Sequence, residues 1–162
     1  MKTNIPFISI VIASYNRNSI TQQSIKSALD QDFPSDKYEV IVVDNNSFDG
    51  TVEEIEKNFP SEIKSKKLKL LSLKYNSGSS GSYIECLPYM EQGWNYMLKM
   101  DEDVILDQSC LSEMIKVAKK DDSISMIGGK VFYKKNPEII QAIGSKLKPY
   151  FAIAKGIGIN EN

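Results

Sequence analysis

Three consecutive acids carry the clearest chemical signal in this sequence. Asp101, Glu102 and Asp103 directly follow residues 94–100, an apolar segment of strand length. In an extended strand, Asp101 and Asp103 would point to the same face roughly 6.6 Å apart, and would repel each other by about 2.5 kcal/mol at an effective dielectric constant of about 20. A divalent cation held by oxygen ligands relieves such repulsion where phosphates also bind. Because 21 of the 162 residues are acidic, such a run also arises by chance.

The composition narrows the chemistry that these acids could perform. The chain has the size of one domain, carries a net charge of −1 and contains no histidine. A nearly neutral chain has no general attraction to nucleic acid or to an anionic membrane. The lack of histidine excludes histidine-based triads and metal sites, so carboxylates remain the candidate acid–base and metal-binding groups.

The cysteines and the apolar segments indicate the compartment. Cys86 and Cys110 lie far apart in segments that we expect to be helical, which fits buried thiols in a reducing environment better than a disulfide or zinc site. The first apolar run is interrupted by Ser9 and lacks a small-residue cleavage site, so we expect no signal peptide. No run approaches the ~20 apolar residues of a membrane span. We therefore expect a cytoplasmic protein.

Strands and helices must alternate to position the acids. Hydrophobic patterns predict strands at residues 7–13, 38–43, 68–73 and 94–100, and helices at residues 19–31, 82–92 and 108–120, with another helix ending near residue 59. The β-branched runs are typical of strands buried on both faces of a parallel sheet. This alternation predicts an α/β fold with a mostly parallel, doubly wound sheet.

Several local features leave alternatives open. Either Asp49 or a capping box of Thr51 with Glu54 could begin the second helix. Pro88 lies inside the predicted helix at residues 82–92. Residues 123–133 fit a strand pair or one kinked strand, and residues 139–162 show no obvious partner element.

Polar clusters follow all four predicted strands, at residues 14–18, 44–49, 75–82 and 101–103. The carboxyl ends of parallel strands share one edge of the sheet, where ligands bind in such folds. The connections at the opposite edge lack comparable clusters. The sequence therefore predicts a ligand site at this one edge.

Individual residues in these clusters have a functional and a structural interpretation. Asp44 could accept hydrogen bonds from a base or ribose, or could cap the next helix. Tyr15 could present a flat face to a base or could pack in the interior. Arg17 could pair with a phosphate or lie in solvent, and residues 77–82 could approach an anion through backbone N–H groups or form a flexible loop. Neither a Gly-x-Gly-x-x-Gly after the first strand nor a Gly-Lys-Ser/Thr phosphate loop is present.

Taken in order, these motifs resemble the family 2 glycosyltransferases of GT-A fold from about residue 5 to residue 135. The matching segments are residues 10–17 (IVIASYNR), residues 42–51 (VVDNNSFDGT), Asn76 with Gly78 and Gly81, and residues 100–103 (MDED). The Asp-Asn-Asn-Ser form and the Asn76 glycine loop look most like the rhamnosyl- and galactofuranosyltransferase branch.

The resemblance implies an α/β/α sandwich that binds a UDP- or dTDP-linked sugar and transfers the sugar to a glycan acceptor with inversion. It implies Mn²⁺ or Mg²⁺ held by Asp103 and Asp101, with Glu102 as a second candidate. Asp101 would also touch the ribose or a metal-bound water. The donor-binding positions that it implies are Ala13, Tyr15, Arg17, Asp44, Asn46, Asn76, Gly81 and Asp101.

The resemblance also predicts how the chain is organised. Residues 1–135 would bind the nucleotide sugar, and residues 136–162 would begin an acceptor-side region that is cut short. Glu161 is too near the end of the chain to be assigned as the general base, which we leave unassigned. The rival readings are a sugar nucleotidyltransferase and a non-catalytic binding module.

The setting follows from the same reading. An enzyme of polysaccharide or cell-surface glycan synthesis would act in the cytoplasm or peripherally at the inner face of the membrane. The apolar cluster of Tyr150, Phe151 and Ile153 predicts self-association as a homodimer.

Overall fold

The structure, a computed structural model, describes residues 5–148 and 153–157 of the chain. Its contacts divide the chain into two compact units, Met1–Leu111 and Ser112–Asn162. Among the residues described, no helix is both long and apolar enough to cross a membrane.

A four-stranded parallel sheet forms the centre of the first unit. Its strands are β1 (Ile8–Ser14), β2 (Tyr38–Asp44), β3 (Leu68–Ser72) and β4 (Tyr96–Asp101), arranged in the order β3-β2-β1-β4. Every residue of β1 and β2 is buried. Such burial requires cover on both faces, which explains the continuous apolar, β-branched sequence of these strands.

Helices pack on both faces of this sheet. They include α1 (Asn18–Leu29), α2 (Thr51–Asn58), α3 (Pro60–Lys64) and α4 (Gly78–Glu85), with 3₁₀ turns at Ser35–Lys37 and Leu87–Tyr89. A further helix, α5 (Cys110–Ala118), lies mostly in the second unit. Tyr83 of α4, with Cys86 and Met90 after it, packs against alternate residues of β1 and β2. The intervening residues of both strands are also buried, and α1 packs on the same two strands. The predicted mostly parallel α/β sheet is confirmed.

Strand register brings the carboxyl ends together. Ser14 at the end of β1 pairs with Asp44 at the end of β2. On the other side of β1, Ala13 pairs with Asp101, the last residue of β4. The loops that follow β1, β2 and β4 therefore leave the sheet side by side.

The second unit contains two antiparallel hairpins. β5 (Val131–Tyr133) pairs with β6 (Asn136–Ala142), and β7 (Gly144–Lys148) pairs with β8 (Ile153–Ile157). The expectation of a strand pair or one kinked strand over residues 123–133 is wrong, because only Val131–Tyr133 at the end of that segment form a strand. The partners missed for residues 139–162 are these neighbouring strands, which lack a long apolar run. Tyr150 and Phe151 of the predicted dimerisation cluster lie outside the described residues, as does the side chain of Ile153.

Two predicted helix starts are wrong. α4 begins at Gly78 rather than residue 82 and ends before Pro88, which falls in a 3₁₀ turn because proline lacks an N–H for the helix ladder. The N-cap of α2 is Gly50, whose φ of 81° lies in the left-handed region, and no side chain caps this helix. Asp49 instead accepts hydrogen bonds from the backbone N–H groups of Thr51 and Asn18.

We expect Ile41→Ala to lower the free energy of unfolding by about 2–5 kcal/mol, because it empties volume in the central strand β2. Ile41 is fully buried. The matched control is Ile84→Ala on α4, where the side chain is 68% exposed. Urea denaturation of both variants measures the difference, and equal losses would contradict this assignment of the core.

Candidate functional site

The loops after β1 and β2 are joined by reciprocal hydrogen bonds. The Asn16 N–H donates to Ser47 Oγ at 2.9 Å, and the Phe48 N–H donates to Asn16 Oδ1 at 2.9 Å. Asn16 and Asn46 have φ angles of 52° and 65°, a left-handed conformation that asparagine tolerates better than most residues. The two loops therefore form one connected rim at the edge of the sheet.

Asp44 ends β2 with a carboxylate that is only half satisfied. The residue is fully buried, and its Oδ2 accepts the Ser47 N–H at 2.9 Å. Its Oδ1 has no hydrogen-bond partner in the part of the chain that the structure describes. A buried acceptor without a partner is costly, so Oδ1 is suited to accept an N–H or O–H from a ligand. Asp44 does not cap α2, so the alternative that it caps the next helix is wrong.

Two aromatic rings stand at the rim. Tyr15 is 41% exposed and Phe48 is 83% exposed. The rings make an edge contact, with centroids 6.5 Å apart and planes at 83°. Tyr15 is thus not an interior packing residue, and it presents apolar surface beside the loop that begins at Asp44.

The segment after β3 is anchored through the buried side chain of Asn45. Asn45 Nδ2 donates to Ser82 Oγ at 2.6 Å and to the Ser14 carbonyl at 3.4 Å. Asn45 Oδ1 accepts the N–H and the hydroxyl of Ser77, at 3.1 and 3.0 Å. One amide thus ties the ends of β1 and β2 to the start of α4. The interpretation of residues 77–82 as a flexible loop is wrong.

Two further predicted donor-binding positions have local structural roles in this segment. Asn76 Oδ1 accepts the Gly78 N–H at 2.8 Å. A Cβ at Gly81 would lie 2.6 Å from Ser77 Cβ, so only glycine allows this close approach. Both residues shape the start of α4, and a contact with donor stays a prediction for each.

The acids form a turn rather than an extension of β4. The strand ends at Asp101, and the Val104 N–H donates to the Asp101 carbonyl at 3.2 Å. The expected strand geometry for Asp101 and Asp103 is therefore wrong, because β4 stops before the second acid. Ser24 Oγ of α1 donates to the Glu102 carbonyl at 2.6 Å and fixes the turn to the helix.

Arg17 lies against this turn. Its Nε is 3.5 Å from Glu102 Oε1, and its Nη1 donates to Asp103 Oδ2 at 3.3 Å. The guanidinium relieves the repulsion among the acids, so Arg17 is more than a solvated surface residue. Burial raises the pKa of the Glu102 carboxyl above its ordinary value, and Arg17 opposes that rise.

The carboxylates suit a cation that arrives with a ligand. Within the described ranges, no group of three or more His, Cys, Asp or Glu side chains could hold a metal ion. Asp101 and Asp103 are both exposed at the end of β4. One or two carboxylates completed by substrate phosphate oxygens are a usual environment for Mg²⁺. The donor set therefore fits a cation shared with a diphosphate and does not fit one held by protein alone.

With the site described, comparison with known proteins identifies the family. The model of the family described as Glycosyl transferase family 2 matches residues 9–159. The chain belongs to this family. Among curated relatives, this glycosyltransferase family 2 chain is 27% identical over 128 residues to an uncharacterized glycosyltransferase of Haemophilus influenzae, covering 77% of the chain and 36% of the relative. It is 30% identical over 132 residues to the glycosyltransferase AglE of Haloferax volcanii, covering 81% and 41%.

Solved structures show the same fold. The mannosyltransferase PcManGT from Pyrobaculum calidifontis, in complex with GDP-Man and Mn²⁺, superposes with a TM-score of 0.67 at 20% identity and covers 82% of this chain and 37% of that one. S. aureus TarS 1-349 in complex with UDP-GlcNAc gives a TM-score of 0.59 at 20% identity, covering 80% and 41%. These likenesses confirm the predicted GT-A fold. The family 2 chain spans less than half the length of these relatives.

The structure places Ala13, Tyr15, Arg17, Asp44, Asn46, Asp101 and Asp103 at the carboxyl edge of the sheet, as predicted from the sequence of the family 2 chain. Sequence reasoning missed Asn16, Asn45 and Ser24, which hold the site together. Ser24 had a detectable signal, since a polar residue lies beside Ile25 on the apolar side of α1. Asn45 lies in the quoted segment at residues 42–51, but nothing local indicates its anchoring role, because its partners are distant in sequence.

We expect Asn45→Ala to destabilise the family 2 chain by about 1–3 kcal/mol, because it removes the side-chain bonds to Ser77 and Ser82 and leaves the Ser77 N–H without its partner. Asn58→Ala is the matched control, since the Asn58 amide bonds lie at the surface. Thermal and urea unfolding measure the effect. Equal stability of the two variants would show that Asn45 does not hold the segments together.

Proposed function

We propose that this chain is the donor-binding part of an inverting glycosyltransferase that uses a UDP- or dTDP-linked sugar with Mn²⁺ or Mg²⁺. Family membership supports sugar transfer. The observation that carries the donor site is the unpartnered Oδ1 of Asp44, at the same sheet edge as the exposed Asp101 and Asp103. The base of a nucleotide sugar needs a hydrogen-bond acceptor. Its diphosphate needs a positive charge, which a cation held by carboxylates would supply.

The nucleoside end of the proposed donor lies at β1 and β2. The imide N–H of uracil or thymine donates to Asp44 Oδ1, and Tyr15 presents its exposed ring to the base. Ala13, the residue before the last of β1, would lie next to this pocket, although its side chain is buried in the core. Asn46 belongs to the rim of this pocket, and Asn76 and Gly81 belong to the neighbouring start of α4.

The diphosphate end lies at the turn after β4. Asp103 and Asp101 would hold the cation, with Glu102 as the alternative ligand, and Arg17 would pair with phosphate oxygens. The bound cation would supply neutralisation of the charge that develops on the leaving nucleoside diphosphate. The residues of this chain would orient the diphosphate at the end of β4. The Mn²⁺ and GDP-Man in the PcManGT complex support a metal-dependent donor site.

The remaining parts of the proposal concern the whole enzyme. Residues 1–135 would bind the donor, and residues 136–162 would begin the acceptor side, whose general base we do not assign. The acceptor would be a glycan in polysaccharide or cell-surface synthesis, in the manner of the rhamnosyl- and galactofuranosyltransferase branch. The enzyme would act in the cytoplasm or at the inner face of the membrane, as a homodimer. Family membership favours this reading over a sugar nucleotidyltransferase.

We expect UDP or dTDP to bind to the chain in the presence of Mn²⁺, and chelation of Mn²⁺ by EDTA to weaken that binding by at least about tenfold, because the diphosphate loses its counter-charge. Asp103→Ala should have a similar effect. Isothermal titration calorimetry measures both.

The matched control is Asp36→Ala, which removes an exposed acid at the opposite end of the strands. The donor-site proposal fails if wild-type protein binds neither nucleotide, or if Asp36→Ala and Asp103→Ala behave alike. An intact donor site without transfer or donor hydrolysis would identify a non-catalytic binding module.

Asp44→Asn tests the base pocket separately. The side-chain oxygen of the introduced asparagine could still accept the Ser47 N–H, but an NH₂ group would replace the carboxylate oxygen Oδ1. Two hydrogen-bond donors, this NH₂ and the imide N–H, would then face each other. We expect about tenfold weaker binding of UDP and of uridine, since a mismatched buried hydrogen bond costs about 1–3 kcal/mol. Asp36→Asn is the control. Unchanged uridine affinity in Asp44→Asn would remove Asp44 from the base pocket.

A further inference from the structure

Arg17 is shared between two acids of the turn that the proposed function assigns to the metal. We infer that Arg17 is an internal counter-ion for this turn: it occupies the carboxylates while the donor is absent and passes to the diphosphate when metal and donor bind. The inference rests on the proposed function and adds to it a competition between one side chain and the cation.

The backbones on both sides of this contact are fixed to the same helix. The Arg17 carbonyl accepts the N–H and the hydroxyl of Thr21, at 2.9 and 2.8 Å, at the start of α1. The Glu102 carbonyl accepts the hydroxyl of Ser24 one turn further along α1 at 2.6 Å. The main chain of the turn therefore has its own anchor, and an exchange of partners requires movement of the Arg17 side chain alone.

Solvent exposure makes that movement easy. The side chains of Arg17 and Asp103 are 52% and 55% exposed, whereas that of Glu102 is 20% exposed. Ion pairs between exposed side chains contribute little stability, because water screens the charges and the side chains lose rotamer freedom. The ion pair between Arg17 and Asp103 is thus weak enough for a diphosphate to replace Asp103 as the partner of Arg17.

Arg17 and a divalent cation cannot use Asp103 equally well at the same time. The oxygen that accepts Arg17 Nη1 is a potential metal ligand, and the guanidinium repels a second cation beside it. Binding of metal alone must therefore displace Arg17 into solvent. A diphosphate changes this balance, because its oxygens match the planar donors of the guanidinium in a bidentate pair.

This exchange makes two binding events help each other. The metal releases Arg17 for the diphosphate, and the diphosphate removes Arg17 from the metal ligands. Because coupling between two ligands is reciprocal, part of the mutual enhancement of Mn²⁺ and nucleotide binding belongs to this one residue. A purely structural Arg17 would behave differently, since its loss would loosen the turn and weaken both ligands together.

The test is Arg17→Gln in the full chain, with Mn²⁺ binding followed by electron paramagnetic resonance in the absence of nucleotide. We expect Mn²⁺ to bind about two- to fivefold more tightly than to wild type, since one exposed ion pair no longer competes. At saturating Mn²⁺, we expect UDP to bind about five- to tenfold more weakly, since a charge-assisted pair to phosphate is lost.

Two more variants refine the result. Arg17→Lys keeps the charge without the planar fork, so we expect an Mn²⁺ affinity near that of wild type and a UDP affinity between wild type and Arg17→Gln. Lys57→Gln removes an exposed cation that pairs with Glu54, and should change neither affinity.

Opposite effects of Arg17→Gln on the two ligands support the exchange. Unchanged or weaker Mn²⁺ binding by Arg17→Gln would overturn it. This includes the result that Arg17→Gln binds no Mn²⁺ at Mn²⁺ concentrations that saturate the wild-type protein in the presence of UDP. Failure of wild-type protein to bind UDP with Mn²⁺ would instead reject the donor site itself, and the exchange with it. The nucleotide-free titration separates the two failures.

Discussion

The parallel pairing of β1 with a strand on each side is the constraint on which the site depends. It places Ser14 beside Asp44 and Ala13 beside Asp101, so that the loops after three strands leave the sheet at neighbouring points. A shift of one residue would turn each side chain of β1 to the opposite face, and Val11 and Ala13 would lose their packing against Tyr83 and the residues after α4. The burial of this strand therefore enforces the register that gathers the functional groups.

Polar contacts then convert this gathering into a defined site. Asn16 joins the first two loops, Asn45 joins the strand ends to α4, and Ser24 joins the acidic turn to α1. Asp44 Oδ1 is the buried side-chain polar atom without a hydrogen bond among the described residues, which makes it the conspicuous exception in a well-bonded region. The hydrogen bonds position the loops of the rim, and the unpartnered Asp44 Oδ1 is the atom to which a ligand would donate a hydrogen bond.

The sequence is informative where local pattern and burial agree. The apolar runs of β1 and β2, each followed by a polar cluster, were sufficient to predict the parallel sheet and the edge that carries Tyr15, Asp44 and Asp103. It is less informative where tertiary contacts decide. The early start of α4 is accompanied by bonds from Asn45 to Ser77 and Ser82, and Arg17 meets Asp103 across 86 positions of sequence. No local pattern reports such partners.

The most direct test of convergence at one edge is paramagnetic broadening by Mn²⁺ added with UDP, followed on backbone amide resonances. A donor site at this edge predicts that signals of residues 14–17, 44–47 and 101–103 lose intensity together, while those of residues 35–38 and 66–68 at the opposite end of the strands keep theirs. Broadening confined to one of the three loops, or equal broadening at both ends, would contradict a donor site built from the ends of β1, β2 and β4.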